Sequence, residues 1–301
     1  MKSAKNVGVI GLGSMGFGIA QSILREGHIV FGFDINTDAT DRFIAIGGSK
    51  GVLDEVAPKL DILVVVVLNA VQTNSILFDK NTGVANKLKP GAVVIACATV
   101  APDFARDMET QCAQSGVLYL DAPMSGGSVK AANGQLSFMA SGTKEAFAAA
   151  KPALDASAEV VFELGQSAGA GSAMKAVNQL LAGVHIATMA EALTFGMTQG
   201  IEPKQFLDVI SQCAGTSWML ENRAPHIVAG DYKAHSSVDI WPKDLGIVLD
   251  IARSANFSAP ITAAALQQFL AASGSGLGKE DDAAVAKVYA RNANLSLPGE
   301  K

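Results

Sequence analysis

In the stretch "GAGSAMKAVNQLLAG", residues 169–183, a single ammonium stands among apolar neighbours. Lys175, Asn178, Gln179 and Ala182 fall at i, i+3, i+4 and i+7, the spacing of one helix face. A lysine so placed either snorkels from an apolar stripe to water or acts on a substrate. Beside an alcohol, a lysine amine can take the hydroxyl proton while the carbon gives up hydride, and the ammonium can return it in the reverse direction. Working as a base near neutral pH requires a lowered pKa, which burial and a neighbouring cation favour. Lys243 is a candidate for that cation. Asn178 can orient the substrate or the lysine, and Gln179 can reach a further substrate hydroxyl.

A second group of residues suits a phosphate-bearing cofactor. "VGVIGLGSMG", residues 7–16, carries Gly11, Gly13 and Gly16 in the pattern G-x-G-x-x-G, after an apolar strand and ahead of a helical pattern. Glycines there permit a tight turn and let the backbone approach a pyrophosphate at a helix N-terminus. The cradle is Gly11, Leu12, Gly13, Ser14, Met15 and Gly16. The next strand, "IVFGFD", ends on Asp34, near the spacing at which a ribose-binding carboxylate belongs. A carboxylate accepts from ribose hydroxyls and repels a 2′-phosphate. The nearest following arginine is Arg42, so NAD is expected rather than NADP. The alternative for Asp34 is a strand-end turn residue.

A third stretch, "DAPMSGG" at 121–127, ends a strand with small residues. Ser125, Gly126 and Gly127 can turn consecutive N–H groups and a hydroxyl towards one anion, such as a substrate carboxylate. Taken alone, the same letters describe an ordinary Ser-Gly-Gly loop. Thr99, after "AVVIACAT", is expected at the carboxyl edge of the sheet, where ligands bind in doubly wound folds.

The elements that must position these residues follow an alternation. Apolar, β-branched runs at 6–11, 29–34, 61–68, 92–99 and 117–121 are separated by helical patterns such as 14–26 and 102–115. Strand and helix in turn imply a doubly wound, mostly parallel sheet with helices on both faces. Strand-like runs at 135–141 and 159–164 flank a helix near 143–156. Beyond residue 165 the texture becomes Ala- and Leu-rich at helical spacing. We therefore expect an α/β Rossmann-type domain over 1–165 and an all-α domain over 166–301. A long helix, roughly 171–199, opens the second domain. An acidic helix start, "KEDDAAV", follows a glycine-rich loop at 274–278.

Composition narrows the function. With 49 % hydrophobic and 17 % charged residues among 301, a large core is available. A net charge of −5 argues against nucleic acid as a partner. The cysteines, Cys97, Cys112 and Cys213, are widely spaced, which fits a reducing cytoplasm better than a disulfide framework. No secretory pattern stands out in "MKSAKNVGVIGLG". "ILVVVVL" is too short to span a bilayer and is expected as a buried strand, with no membrane partner. No His, Cys, Asp and Glu cluster has metal-ligand spacing, so no metal is expected. His185 is expected in a core or interface, and His28 merely precedes a strand. His226 and His235 are candidates to touch substrate, and Trp218 and Trp241 to line a pocket or pack.

"GLGSMG", "DAPMSGG", "GAGSAMKAVNQ" and "KDLGIVL" (243–249) resemble, in order, the four motifs of the β-hydroxyacid dehydrogenase family, and the resemblance covers almost the whole chain. Longer stretches, "LNAVQ" (68–72), "QLLAGVHIA" (179–187), "SWMLENRAPHIVAGDYKAHSSVDIWPKDLG" (217–246) and "GKEDDAAV" (278–285), are similar to one branch of it. That resemblance implies NAD-linked oxidation of a four-carbon sugar acid to a 2-oxo acid, with Lys175 as general acid and base. It implies a carboxylate site at Ser125–Gly127, cofactor contacts from Leu68 and Thr99, and Lys243 against the nicotinamide end. It also implies a homodimer or homotetramer. Other members, 3-hydroxyisobutyrate dehydrogenase and tartronate semialdehyde reductase, mark alternative substrates. A non-catalytic NAD-binding module is a further alternative, but such relatives are expected to lose the lysine. Two positions depart from the family: Gln179 stands where the pattern K-x-x-N-N has a second asparagine, and Asn69 where a proline is usual.

Overall fold

Ile62–Val65 form strand β3, with all four side chains buried. Successive side chains of a strand point to opposite faces, and here they enter different cores. Ile62 and Val64 join one cluster with Val93 and Ile95, while Leu63 and Val65 join another with Val94 and Ala96. A sheet covered on both faces needs unbroken apolar strands, which is why this run lacks alternation.

The structure, a computed structural model, describes residues 3–300. In chain order the first part holds β1 (Asn6–Ile10), α1 (Gly16–Arg25), β2 (Ile29–Phe33), α2 (Thr37–Ala45), α3 (Leu53–Val56), β3, α4 (Ala70–Phe78), β4 (Val93–Ala96), α5 (Pro102–Gln114), β5 (Leu118–Asp121), β6 (Met124–Ser125), α6 (Gly127–Asn133), β7 (Leu136–Gly142), α7 (Lys144–Ser157) and β8 (Ala158–Glu163). The sheet order is β2-β1-β3-β4-β5-β7-β6, with β8 beside β7. β1 to β5 are parallel. One core takes Ile19 and Ile23 of α1 with Ala150 and Leu154 of α7, and the other takes Leu77 of α4 with Met108 and Cys112 of α5. The Rossmann-type expectation is met, down to helices on each face.

Two features add detail to the mostly parallel sheet that was expected. β7 runs antiparallel to β5, and the two-residue β6 pairs antiparallel with β7. β6 is too short to leave a pattern, yet it carries Ser125.

The chain divides into compact units, Met1–Lys175 and Ala176–Lys301. The long helix, α8 (Ala170–Thr198), runs through this division. The second unit continues with α9 (Pro203–Ile210), α10 (Trp218–Ala229), α11 (Ile240–Ser254), α12 (Pro260–Ala272) and α13 (Ala286–Asn292). α8 is long and apolar enough to cross a bilayer by length and composition. Instead Ile186, Met189 and Leu193 fill the helical core with Phe206, Ile227, Leu245 and Val288. Trp241 stacks on Phe269 at 5.5 Å in that core. A side chain at Gly183 would come within 2.8 Å of Leu245, so the glycine lets α11 lie close against α8.

Candidate active site

The glycine loop leaves β1 with Gly11 at φ +92°, and a Cβ there would sit 2.1 Å from the carbonyl of Val66. Only glycine fits that turn. Gly16 is similarly enclosed: its Cβ would meet the Gly11 carbonyl at 1.8 Å. Gly13 is different. It is exposed, and a Cβ would meet nothing within 4 Å. The protein's own packing gives no reason for that glycine, whereas a ligand lying against the backbone does. α1 starts after Met15 with no side-chain cap, so its first N–H groups suit a phosphate. Leu12 is buried and Ser14 exposed. The Leu12 N–H donates to Asp34 Oδ2 at 2.6 Å, and the Asn36 N–H to Asp34 Oδ1 at 2.8 Å. Asp34, half-buried beyond β2, is thereby held at the loop. These residues fit a dinucleotide.

Leu68 follows β3, is 62 % exposed, and donates its N–H to Gln72 Oε1 at 2.8 Å. Asn69 caps α4, its side chain accepting from the Gln72 N–H at 2.9 Å, with φ −156°. Proline, locked near −65°, does not fit that backbone, which accounts for one departure from the family. Thr99 follows β4 and is half-buried.

Lys175 is 9 % exposed, and its ammonium donates to the Met124 carbonyl at 2.8 Å. That bond brings it to the strand that ends in Ser125. Gly126 and Gly127 follow with φ +138° and +81° and begin α6, which has no side-chain cap. The lysine thus lies next to the segment that leads into the Ser-Gly-Gly turn.

Asn178 and Gln179 lie one turn further along α8. Asn178 Nδ2 donates to Gln179 Oε1 at 2.9 Å, and Gln179 Nε2 donates to Asp244 Oδ2 at 2.5 Å. The Lys243 ammonium is ion-paired to Asp244 Oδ1. Asp244 is 2 % exposed. Lys243 is thus joined through a buried carboxylate to Gln179, and the carboxamide of Gln179 is engaged at both ends. The extra methylene relative to asparagine gives Gln179 the reach to Asp244. Sequence reasoning passed over Asp244, although its place between a lysine and a helix core was a signal.

His226 Nδ1 lies 2.9 Å from Asp281 Oδ1, and the His235 ring is 5.3 Å from that of His226. Trp241 Nε1 donates to Asp282 at 3.0 Å. Trp218 is 60 % exposed. This cluster lies within the second unit.

Residues 6–165 match the sequence profile of the NAD binding domain of 6-phosphogluconate dehydrogenase. Residues 169–289 match that of NAD-binding of NADP-dependent 3-hydroxyisobutyrate dehydrogenase. The sequence is 48 % identical over 298 residues to L-threonate dehydrogenase of Cupriavidus necator, covering 99 % of each chain. It is 46 % identical to the L-threonate dehydrogenase of Escherichia coli K12, over 98 % of this chain and 97 % of the other. A crystal structure of 3-hydroxyisobutyrate dehydrogenase from Salmonella typhimurium superposes with a TM-score of 0.89 at 45 % identity, covering 94 % of this chain and 99 % of that one.

Proposed function

Since this chain belongs to the β-hydroxyacid dehydrogenase family and is an NAD-dependent hydroxyacid dehydrogenase, we propose that it oxidises L-threonate to the 2-oxo acid. The carrying observation is full-length identity of 43–48 % to L-threonate dehydrogenases of several bacteria.

Bound NAD supplies the hydride acceptor. Lys175 takes the proton of the substrate hydroxyl as its carbon is oxidised, and returns it in reduction. Its buried position beside Met124 supports that role. Ser125, Gly126 and Gly127 hold the substrate carboxylate through backbone N–H groups and a hydroxyl. Asn178 and Gln179 orient the rest of the polyhydroxylated acid. The Gly11–Gly16 loop carries the pyrophosphate and Asp34 the adenosine ribose, while Leu68, Thr99 and Lys243 border the nicotinamide. The proposed division of labour follows domains 1–165 and 166–301. Exposed Leu181 and Phe195 on apolar α8 support a homodimer or homotetramer, and the free thiols support a cytoplasmic setting.

The likeness to the 3-hydroxyisobutyrate dehydrogenase of Salmonella typhimurium favours a second substrate, 3-hydroxyisobutyrate. A panel of L-threonate, other four-carbon aldonic acids, glycerate and 3-hydroxyisobutyrate, each with NAD and with NADP and followed by absorbance of the reduced nicotinamide, decides. L-threonate with NAD is expected to give the highest kcat/KM. A higher value for 3-hydroxyisobutyrate or glycerate would overturn the assignment.

A further inference from the structure

Asp121 ends β5 and is 1 % exposed. Its Oδ2 accepts from the Gly169 N–H at 2.9 Å, the Ser172 N–H at 2.9 Å and the Ser141 hydroxyl at 3.2 Å. Its Oδ1 accepts from the Ser172 hydroxyl at 2.7 Å. Ser141 Oγ in turn accepts from the Gly171 N–H at 2.9 Å. The first N–H groups of α8, which have no partner inside the helix, are therefore gathered around one buried carboxyl group.

Ordinary capping does not require this. Asn36, Asn69, Thr143 and Ser217 cap other α-helices of this chain with neutral side chains, and the buried carboxylate that caps a 3-10 turn, Asp281, has the His226 ring as a partner. Burying a carboxylate costs desolvation that a neutral cap avoids. Burial accordingly pushes the Asp121 carboxyl up, against the four hydrogen bonds that pull it down.

The reason lies three residues on. Asp121 binds Ser172, and Met124, three residues after Asp121, binds Lys175, three residues after Ser172. The same two segments are stitched twice at equal spacing. Three residues of extended chain reach up to about 10 Å, and three of helix rise about 4.5 Å. The lysine stem spans the difference. Fixing the Asp121 end determines where the ammonium falls, and a small slide or rotation of the helix start would carry it off Met124 and away from Ser125.

We infer that Asp121 is a positioning residue for Lys175, a role that rests on the assignment of Lys175 as proton acceptor. It pins the first turn of α8 to the strand that leads into the Ser-Gly-Gly turn.

The test compares D121N, S172A and K175M in the full-length enzyme. It measures kcat and KM for L-threonate and for NAD, the pH dependence of kcat, and Tm. In D121N the amide oxygen can face the Gly169 and Ser172 N–H groups, but the acceptor at the Ser172 hydroxyl becomes a donor and every bond to the helix start loses its charge assistance, so the stitch is weakened. We expect kcat to fall about tenfold or more with KM for NAD within about twofold. The limb of kcat that reports the lysine should move as well, because a loosened helix start changes what surrounds the ammonium. S172A should show the same fall in kcat to a lesser degree. If D121N and S172A keep the parental kcat and pH profile while K175M is inactive, the positioning role is overturned and that of Lys175 stands. A lower Tm with an unmoved pH profile likewise overturns it, leaving Asp121 a structural cap. If K175M itself turns over normally, the assignment of Lys175 falls first.

Discussion

The ammonium of Lys175 donates a 2.8 Å hydrogen bond to the carbonyl of Met124, the residue before the Ser125–Gly126–Gly127 turn. Residues fifty-one apart in sequence thus place an amine next to the turn proposed to hold the substrate carboxylate. In the proposed reaction an amine held this way would meet an alcohol oriented by that turn, which is what proton transfer needs.

Replacing Lys175 by Met keeps the length of the apolar stem and removes the proton carrier. The Lys175→Met variant should lose about 10²–10⁴-fold in kcat, the usual worth of a general base. NADH affinity, followed by fluorescence titration, should stay nearly unchanged. Turnover near the parental level would remove Lys175 from the chemistry.

Much of this was legible before the fold was known, because glycine loops and buried parallel strands leave local marks. Gly11 and Gly16 sit in a pattern with a steric cause, Gly13 in one that a ligand's approach explains, and "ILVVVVL" betrays a strand buried on both faces. Pairing direction leaves no such mark, so the antiparallel β7 was not visible. Nor was the role of Asp121, whose partners Gly169 and Ser172 are 48 and 51 residues away. "KEDDAAV" looked like an acidic helix start. Asp281 does cap a short 3-10 turn, yet Asp281 and Asp282 are both fully buried. Their partners, His226 and Arg223, come from α10, more than fifty residues earlier. Asn69 illustrates the reverse: a departure noticed in sequence acquires its cause only once φ is known.

Asp34 should govern the choice of cofactor. Its carboxylate is already held by the Leu12 and Asn36 N–H groups, so the proposed bond to the ribose would need little reorganisation. Arg42 lies over the Phe17 ring at 5.4 Å, close to the glycine loop. Asp34→Ser removes a charged hydrogen-bond acceptor, worth about 1.5–3 kcal/mol. We expect kcat/KM for NAD to fall about tenfold or more and the NADP-to-NAD ratio to rise. An unchanged ratio in steady-state assays would argue that Asp34 is only a turn residue.

Gln179 should matter through Asp244. Asparagine at this position is one methylene shorter and cannot keep both the Asn178 and the Asp244 bonds. Asp244 is buried, so losing a donor leaves it underbonded at a cost of about 1–3 kcal/mol. Asn178 would also lose its orienting acceptor. Gln179→Asn should therefore raise KM for L-threonate about tenfold, with a smaller change in KM for NAD. If both constants match the parent, Gln179 is a packing residue, and the selectivity for the acid lies elsewhere.

Asp281 sets a pH dependence of stability in the second unit. Burial raises its carboxyl, but hydrogen bonds from His226 and from the His235 and Ala283 N–H groups, with the charge of His226, outweigh that and hold it below the ordinary carboxylate range. A carboxyl that is more acidic folded than unfolded stabilises the fold fully above its unfolded pKa, about 4. That contribution is lost as pH falls through the unfolded value towards the folded one. The group ties α10 to the loop at His235 and the turn at Ala283, so its protonation loosens three segments at once. Asp281→Asn should lower Tm by several degrees at pH 7, and the difference from the parent should shrink steadily below about pH 4. Melting curves by circular dichroism between pH 3 and 8 would show it. A difference in Tm that stays constant down to pH 3 would mean that packing, and not the charge of Asp281, holds these segments together.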